Sequence, residues 1–272
     1  MPKTELIKAK KKYGQNFLKD QKILQKIAAS AELNQDVAVL EIGPGLGALT
    51  KELVKKAGFV LAYEIDESLI PMLKENLLGF QNYKVIHQDI LKADLKQDID
   101  HYLKDFKKIY VVANLPYYIT TPIIMGLLCS GIPIEKYVVM MQLEVADRIC
   151  GKPKTKDYNA LSVMVAYKAV AKKVLFVPRQ AFIPAPHVDS AVVELEVYEQ
   201  SPYSVLDEQQ FYHLLRIAFT QRRKTLYNNL SMEYDKEYIY KMLDNLGFQR
   251  AVRAEELSLT DFILISDYIT QN

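Results

Sequence analysis

The chain of 272 residues has no tryptophan and only two cysteines, Cys129 and Cys150, which do not form a C-x-x-C pair. Two isolated thiols exclude a disulfide framework, and four scattered histidines (His87, His101, His187 and His213) supply no ligand cluster, so no metal site is expected. Long hydrophobic runs are also missing. None reaches the length that crosses a bilayer, and the early lysines are not followed by an apolar stretch of signal-peptide length, which points to a cytoplasmic protein without membrane attachment. There is no internal repeat, no low-complexity tract, and little excess of either charge: 35 Lys and Arg stand against 33 Asp and Glu. A net charge of +2 does not announce nucleic acid, so any basic surface must come from how the charges are distributed.

What is present is a 50% hydrophobic chain with ample material for a core, and a length that suits a large domain plus a small one. Residues 1 to 12 carry Lys3, Lys8, Lys10, Lys11 and Lys12 against Glu5 alone, which makes them a solvated tail or an RNA-touching arm. Tyr13 to Leu18 follow, with amide and aromatic groups suited to closing over a ligand. Asp20 then caps an amphipathic helix through Ile23, Leu24, Ile27 and Ala28.

Val37 to Ile42 reads as a buried strand and runs into Gly43-Pro44-Gly45-Leu46-Gly47, then a helix through Leu49, Leu53 and Val54. Glycines in such a turn let the backbone approach a ligand closely, and nicotinamide-dependent oxidoreductases use a related turn. A second strand, Phe59 to Ile65, brings Glu64 about twenty residues past the glycines, the spacing of a carboxylate that grips two ribose hydroxyls. A third, Tyr83 to His87, delivers Asp89, placed to accept from an adenine amino group. Ile109 to Ala113 is the fourth, and it delivers Asn114-Leu115-Pro116-Tyr117. The Asn114 oxygen, the Leu115 or Pro116 carbonyl and the flat face of Tyr117 together suit a planar base bearing an exocyclic NH2.

Strands alternating with helices predict a parallel sheet with right-handed crossovers, continued by Val138 to Gln142. A helix from Leu143 to Ile149 precedes a polar stretch, Gly151 to Tyr158, expected to be a mobile loop near the site. A helix near Asn159 to Ala166 leads to Ala169 to Phe176, which with Ala191 to Val197 is expected to form an antiparallel edge pair. Between them, Phe182-Ile183-Pro184-Ala185-Pro186 makes a stiff loop in which Phe182 would present a second aromatic face opposite Tyr117. Pro202 marks a linker, and helices follow alone: Asp207 to Phe219, Gln221 to Leu230, Lys236 to Leu246 and Thr260 to Ile269. Phe211 to Met232 holds Arg216, Arg222, Arg223, Lys224 and His213 without one Asp or Glu, the pattern of a phosphate-facing surface beside Phe219 and Tyr227.

Gly14 to Leu18 (GQNFL), Glu41 to Gly47 (EIGPGLG), Asn114 to Tyr117 (NLPY), Phe182 to Ser190 (FIPAPHVDS) and Gln221 to Leu226 (QRRKTL) make almost the whole chain resemble the small-subunit rRNA adenine N6,N6-dimethyltransferases. These are the bacterial enzymes whose absence confers kasugamycin resistance. The last two motifs separate them from the large-subunit rRNA methyltransferases of macrolide resistance. The resemblance implies an α/β fold of the Rossmann-like class I methyltransferase type, with a mostly parallel seven-stranded sheet, an antiparallel edge and a small C-terminal all-helical domain. The linker at Pro202 sets the expected boundary, with a catalytic domain at 1–201 and a helical RNA-binding domain at 202–272. The resemblance also implies S-adenosylmethionine as cofactor, no metal, and dimethylation of two adjacent adenosines in the 3′-terminal hairpin (helix 45) of 16S rRNA. The partner would be an immature small subunit, met by a monomer with a part in checking subunit assembly.

Carried over motif by motif, Asn16 and Leu18 close over the cofactor, Gly43 and Gly45 lie against it, Glu64 holds the ribose and Asp89 reads the adenine. Asn114 lies between cofactor and target, and Leu115, Pro116, Tyr117 and Phe182 meet the target base; the distribution of charge, in turn, makes Lys10, Lys11, Lys12, Arg216, Arg222, Arg223 and Lys224 the residues expected to meet RNA. The chain departs from the pattern at Tyr118 and Thr120-Thr121, where the family more often shows Asn, Ser and Thr, which leaves the pocket wall open. A non-catalytic ribosome assembly factor with the same fold remains the alternative from another class. DNA adenine methyltransferases fit less well, because Leu115 stands where they carry proline.

Overall fold

The structure, a computed structural model, describes Lys10 and residues 15–272. It divides into two compact units, Met1–Ala146 with Lys172–Val197, and Asp147–Ala171 with Tyr198–Asn272. No helix among the described residues is long and apolar enough to cross a membrane.

The first unit begins with β1 (Phe17–Leu18) and α1 (Gln21–Ser30), whose cap Asp20 accepts from Lys22 and Ile23 N–H as expected of an Asp before an apolar periodic run. Then β2 (Val37–Ile42), α2 (Ala48–Val54), β3 (Phe59–Glu64), α3 (Ile70–Asn76), β4 (Tyr83–His87), α4 (Leu95–Tyr102), β5 (Lys108–Asn114), α5 (Thr120–Leu128) and β6 (Ile134–Gln142) alternate. After α6 (Leu143–Ile149) and α7 (Ala160–Lys168) come β7 (Ala169–Val177), β8 (Phe182–Ile183) and β9 (Ser190–Val197). Seven strands form one sheet in the order β4-β3-β2-β5-β6-β9-β7. Neighbours from β4 to β6 run parallel, and β9 runs antiparallel to β6. Every residue of β2 is buried, which a central parallel strand covered on both faces requires and which its unbroken apolar run, interrupted only by Glu41, announces. The strand order reverses between β2 and β5, so the carboxyl ends of those two strands open a crevice there.

The second unit is helical: α7, α8 (Glu208–Ala218), α9 (Leu226–Leu230), α10 (Lys236–Asn245) and α11 (Leu259–Gln271), around a core of Phe211, Leu214, Met242, Phe262 and Ile265. Tyr158, Val163 and Tyr167 belong to that core, so residues 147–171 group with the C-terminal helices and not with the sheet. The expected boundary at 201/202 therefore misses a segment that returns across it. The Gly151–Tyr158 stretch is not a free loop either. Tyr158 is buried with its hydroxyl on the Leu257 carbonyl (2.9 Å), and Lys154 N–H donates to Glu255 (2.7 Å). The helix expected over Gln221 to Leu230 is cut to α9, because Thr225 caps it by accepting from Asn228 N–H. Asn229 holds the preceding turn through the Ala218 and Gln221 carbonyls.

Candidate active site

Between the strand ends lies a cavity of about 450 Å³ lined by Asn16, Leu18, Gly43, Gly45, Glu64, Asn114, Leu115, Pro116 and Tyr117. Nine of the sequence-derived site residues thus share one wall. Gly43 (φ +68°) and Gly45 (φ +60°) occupy the left-handed region that L side chains rarely adopt. A Cβ at Gly43 would meet the Pro116 ring at 3.5 Å, an ordinary contact, so the backbone angle and not lack of space calls for glycine there, and the glycine turn lies against the Asn114–Tyr117 segment.

Glu64, at the end of β3, is 4% exposed and held from two sides: its Oε2 accepts from Gly45 N–H (2.9 Å) and its Oε1 from Asp66 N–H (2.8 Å). Burial raises its pKa above the usual carboxylate value despite those bonds. Each oxygen keeps a lone pair for a further donor. Asp66 is itself nearly buried. Burial pushes its carboxyl up, but Lys10 Nζ (2.8 Å), Ser68 and Gln15 Nε2 (2.9 Å) outweigh that and hold it down at about 2.

Asn114 closes β5 and donates through Nδ2 to the Asn16 carbonyl at 3.4 Å, which leaves its Oδ1 as an acceptor. Pro116 O accepts from both Ile119 N–H (3.2 Å) and Thr120 Oγ1 (3.0 Å), so both of its lone pairs are engaged. Of the two carbonyls left open by sequence, Leu115 is the one better suited to a ligand. The Tyr117 ring lines the cavity, and its hydroxyl meets Ser190 Oγ at 2.6 Å.

Two expected residues do not join this wall. Phe182 is 2% exposed and packs in the sheet-side core, paired with Leu18 across the two-stranded β1–β8 ribbon. Its period-two neighbour Ile183 points the other way and lines the cavity, so a one-residue choice of face decides between stacking and core. Asp89 lies off the lining. It lies two residues past β4 and accepts from Leu91 N–H (3.1 Å) as the cap of a single 3₁₀ turn.

Sequence reasoning passed over Glu41, Ile65 and Met72 as lining residues. Glu41 carried a legible signal, a carboxylate inside an otherwise apolar buried strand. It is 1% exposed, and its Oε2 has no hydrogen-bond partner among the described residues. Burial, with the Glu64 charge beside it, lifts its carboxyl to about 8. Met72 could have been found from the helical spacing of Leu69, Met72 and Leu73.

In the second unit, Arg223 and Lys224 stand exposed in the turn before α9. Arg222 pairs with Glu255 (Nε to Oε2, 3.1 Å), and Arg216 donates to His213 Nδ1 (3.0 Å), whose Nε2 meets Glu233 (2.6 Å). The acid-free window in sequence is therefore not acid-free in space. Tyr227 stacks on Tyr240 (4.4 Å between centroids), while Phe219 packs against Phe262 in the core. Of the arm, Lys10 is bound to Asp66 and Ser68, and Lys11 and Lys12 lie outside the described residues. Among the described residues no group of three or more His, Cys, Asp or Glu is arranged to hold a metal ion.

Comparison with known proteins follows the same lines. The family model for ribosomal RNA adenine dimethylase matches residues 6–271. Ribosomal RNA small subunit methyltransferase A of Streptococcus pneumoniae serotype 2 (strain D39 / NCTC 7466) is 49% identical over 263 residues, 95% of this chain and 91% of that protein. The protein of the same name from Streptococcus thermophilus (strain CNRZ 1066) is 47% identical over 267 residues, 96% and 92% of the two chains. Among solved structures, a dimethyladenosine transferase from Plasmodium falciparum superposes with a TM-score of 0.78 at 29% identity, covering 94% of this chain and 98% of that one. The 23S rRNA methyltransferase ErmE gives 0.69 at 29%, covering 94% and 100%. With the sheet, the cavity and a match over nearly its full length in agreement, the chain belongs to the ribosomal RNA adenine dimethylase family.

Proposed function

We propose that this protein dimethylates N6 of two adjacent adenosines in the 3′-terminal hairpin (helix 45) of 16S rRNA, acting as a monomer on an immature small subunit in the cytoplasm and serving as a check on its assembly. Membership of the family makes it an S-adenosylmethionine-dependent rRNA adenine dimethyltransferase. S-adenosylmethionine supplies, when bound, an electrophilic methyl on a sulfonium, and the cavity suits such a group. Glu41 Oε2, buried and without a partner among the described residues, offers an open polar atom to such a group, and Glu64 retains acceptors for two ribose hydroxyls. Asn16, Leu18, Gly43 and Gly45 would hold it from the remaining sides. Asp89, off the lining, is the least supported of the cofactor assignments.

The observation that carries the reading is the shared wall of Asn114 and Leu115 with Gly43 and Glu64. Adenine N6 is a poor nucleophile because its lone pair is delocalised into the ring. Two acceptors, Asn114 Oδ1 and the Leu115 carbonyl, would take its two hydrogens and favour a pyramidal nitrogen with the lone pair directed into the cavity. The target base must leave its stack to reach them, at a cost of a few kcal/mol, and stacking on Tyr117 returns about 1–3 kcal/mol. No strong base is needed before attack. Placement at roughly 3 Å, in line, is then the main catalytic contribution. Asn114→Ala is expected to abolish transfer while calorimetric cofactor binding survives, and near-normal turnover would remove the motif from the mechanism. Mass spectrometry of 16S rRNA from cells with and without the protein tests the target: unchanged N6 methylation of the hairpin adenosines refutes the assignment.

A further inference from the structure

The Phe182–Ser190 segment was expected to act through Phe182, yet that ring is core, and the segment touches the cavity wall by its other end. Ser190 opens β9 in register with Gln142, is fully buried, and has its Oγ 2.6 Å from the Tyr117 hydroxyl. We propose that Ser190 is a positioning residue for methyl transfer: it anchors the Tyr117 ring from behind, in the orientation that receives the target base, and sets the rate without touching base or cofactor. This inference rests on the stacking role of Tyr117 given above.

Three features carry it. A hydroxyl at the tip of a tyrosine adds little to the π-face, so phenylalanine would serve if stacking were all that the position required. Here the hydroxyl is directed at a side chain with no exposed surface, where an unpaired polar atom is costly, so each group needs the other. The ring is also fixed at its base. Tyr117 follows Pro116, whose carbonyl is bonded by Ile119 N–H and Thr120 Oγ1, so the backbone that carries the ring is held as firmly as its tip. Finally, the anchor belongs to the sheet. Leu143 N–H donates to the Asp189 carbonyl (3.0 Å), Arg179 N–H donates to Asp189 Oδ1 (2.9 Å), and Ser190 begins the antiparallel ladder to β6. A group that must hold a reactive geometry within a fraction of an ångström is best supported from a regular element, and this one is. Burial raises the phenol above its ordinary value, with the Ser190 bond opposing in part, so the hydroxyl stays protonated at neutral pH and does not act as a base.

The test compares Tyr117→Phe, Ser190→Ala, their combination and Tyr117→Ala in full-length enzyme. The substrate is small subunits isolated from cells that lack the protein, and transfer is read as kcat and KM beside calorimetric cofactor affinity. Tyr117→Phe and Ser190→Ala are each expected to lower kcat roughly 3- to 10-fold, the effect of losing one hydrogen bond, with KM for the subunit and cofactor affinity unchanged. The combination should be no worse than either single change, because both remove the same bond. Full turnover in both single variants with Tyr117→Ala inactive overturns the positioning role and leaves the stacking role standing. Losses that multiply in the combination overturn it as well. Full turnover in Tyr117→Ala refutes the stacking reading itself. Should Ser190→Ala fail to fold, Tyr117→Phe at full kcat still refutes the anchor.

Discussion

Glu41 stands next to last in β2 and Glu64 last in the adjacent β3, both buried, yet their surroundings differ in one respect: Glu64 is gripped by two backbone N–H groups, and Glu41 Oε2 by none. The folded pKa of Glu41, about 8, lies above its value in an unfolded chain, about 4.5. The folded protein therefore binds more protons between those values, and its stability is full below about pH 4.5 and declines as pH rises to about 8. Glu41→Gln is expected to flatten that decline, which is at most about 1.4 kcal/mol per pH unit, and thermal melts from pH 5 to 8.5 measure it. A parallel slope in the variant would clear Glu41 of the effect. Glu64→Ala should lower cofactor affinity in a calorimetric titration, and unchanged binding would refute the ribose assignment. Spacing past the glycines made Glu64 legible in the sequence. Asp89 was placed by its strand end, but two residues after β4 its short side chain caps its own turn, and no strand-end rule reports that.

Among the elements, the long buried strands were readable because burial on both faces leaves an unbroken apolar run. The two-residue strands β1 and β8 were not, since their pairing is made by tertiary contact alone, and with them went the face of Phe182. That face has a thermodynamic consequence. Phe182→Ala is expected to destabilise the fold by about 3–5 kcal/mol, as removal of a core ring does, and denaturant melts decide it; an unchanged midpoint would return the ring to the cavity. The helix drawn through Gln221 to Leu230 failed because Thr225 is a better cap than an interior residue, so Arg222, Arg223 and Lys224 sit on a turn.

At the scale of the whole chain, the second unit drew in residues 147–171, which precede the last strands, because Tyr158 and Tyr167 complete a helical core that α8 to α11 do not close alone. The same fold brings Glu255 to Arg222 from far along the chain, a neutralisation that no local window of charge displays. Arg223→Ala with Lys224→Ala is accordingly expected to weaken rRNA binding and lower the slope of log affinity against log salt by roughly one to two. Arg222→Ala alone should do less, and titrations from 50 to 300 mM salt, on the order of the range in which such slopes are read, compare them. A slope unchanged in the double variant would give the turn a structural role only. The contacts around Asp66 have a further consequence. They form an unbroken series from Lys10 and Gln15, through the Asp66 carboxylate and its N–H, to Glu64 and the Gly45 amide. Any coupling between binding at the two ends of such a series is reciprocal: if RNA held by the basic arm alters cofactor affinity by some factor, cofactor alters RNA affinity by the same factor. Lys10→Ala should bring that factor close to one in both directions, so the dissociation constants measured with and without the other ligand would make Asp66 a gauge of communication between the arm and the cavity.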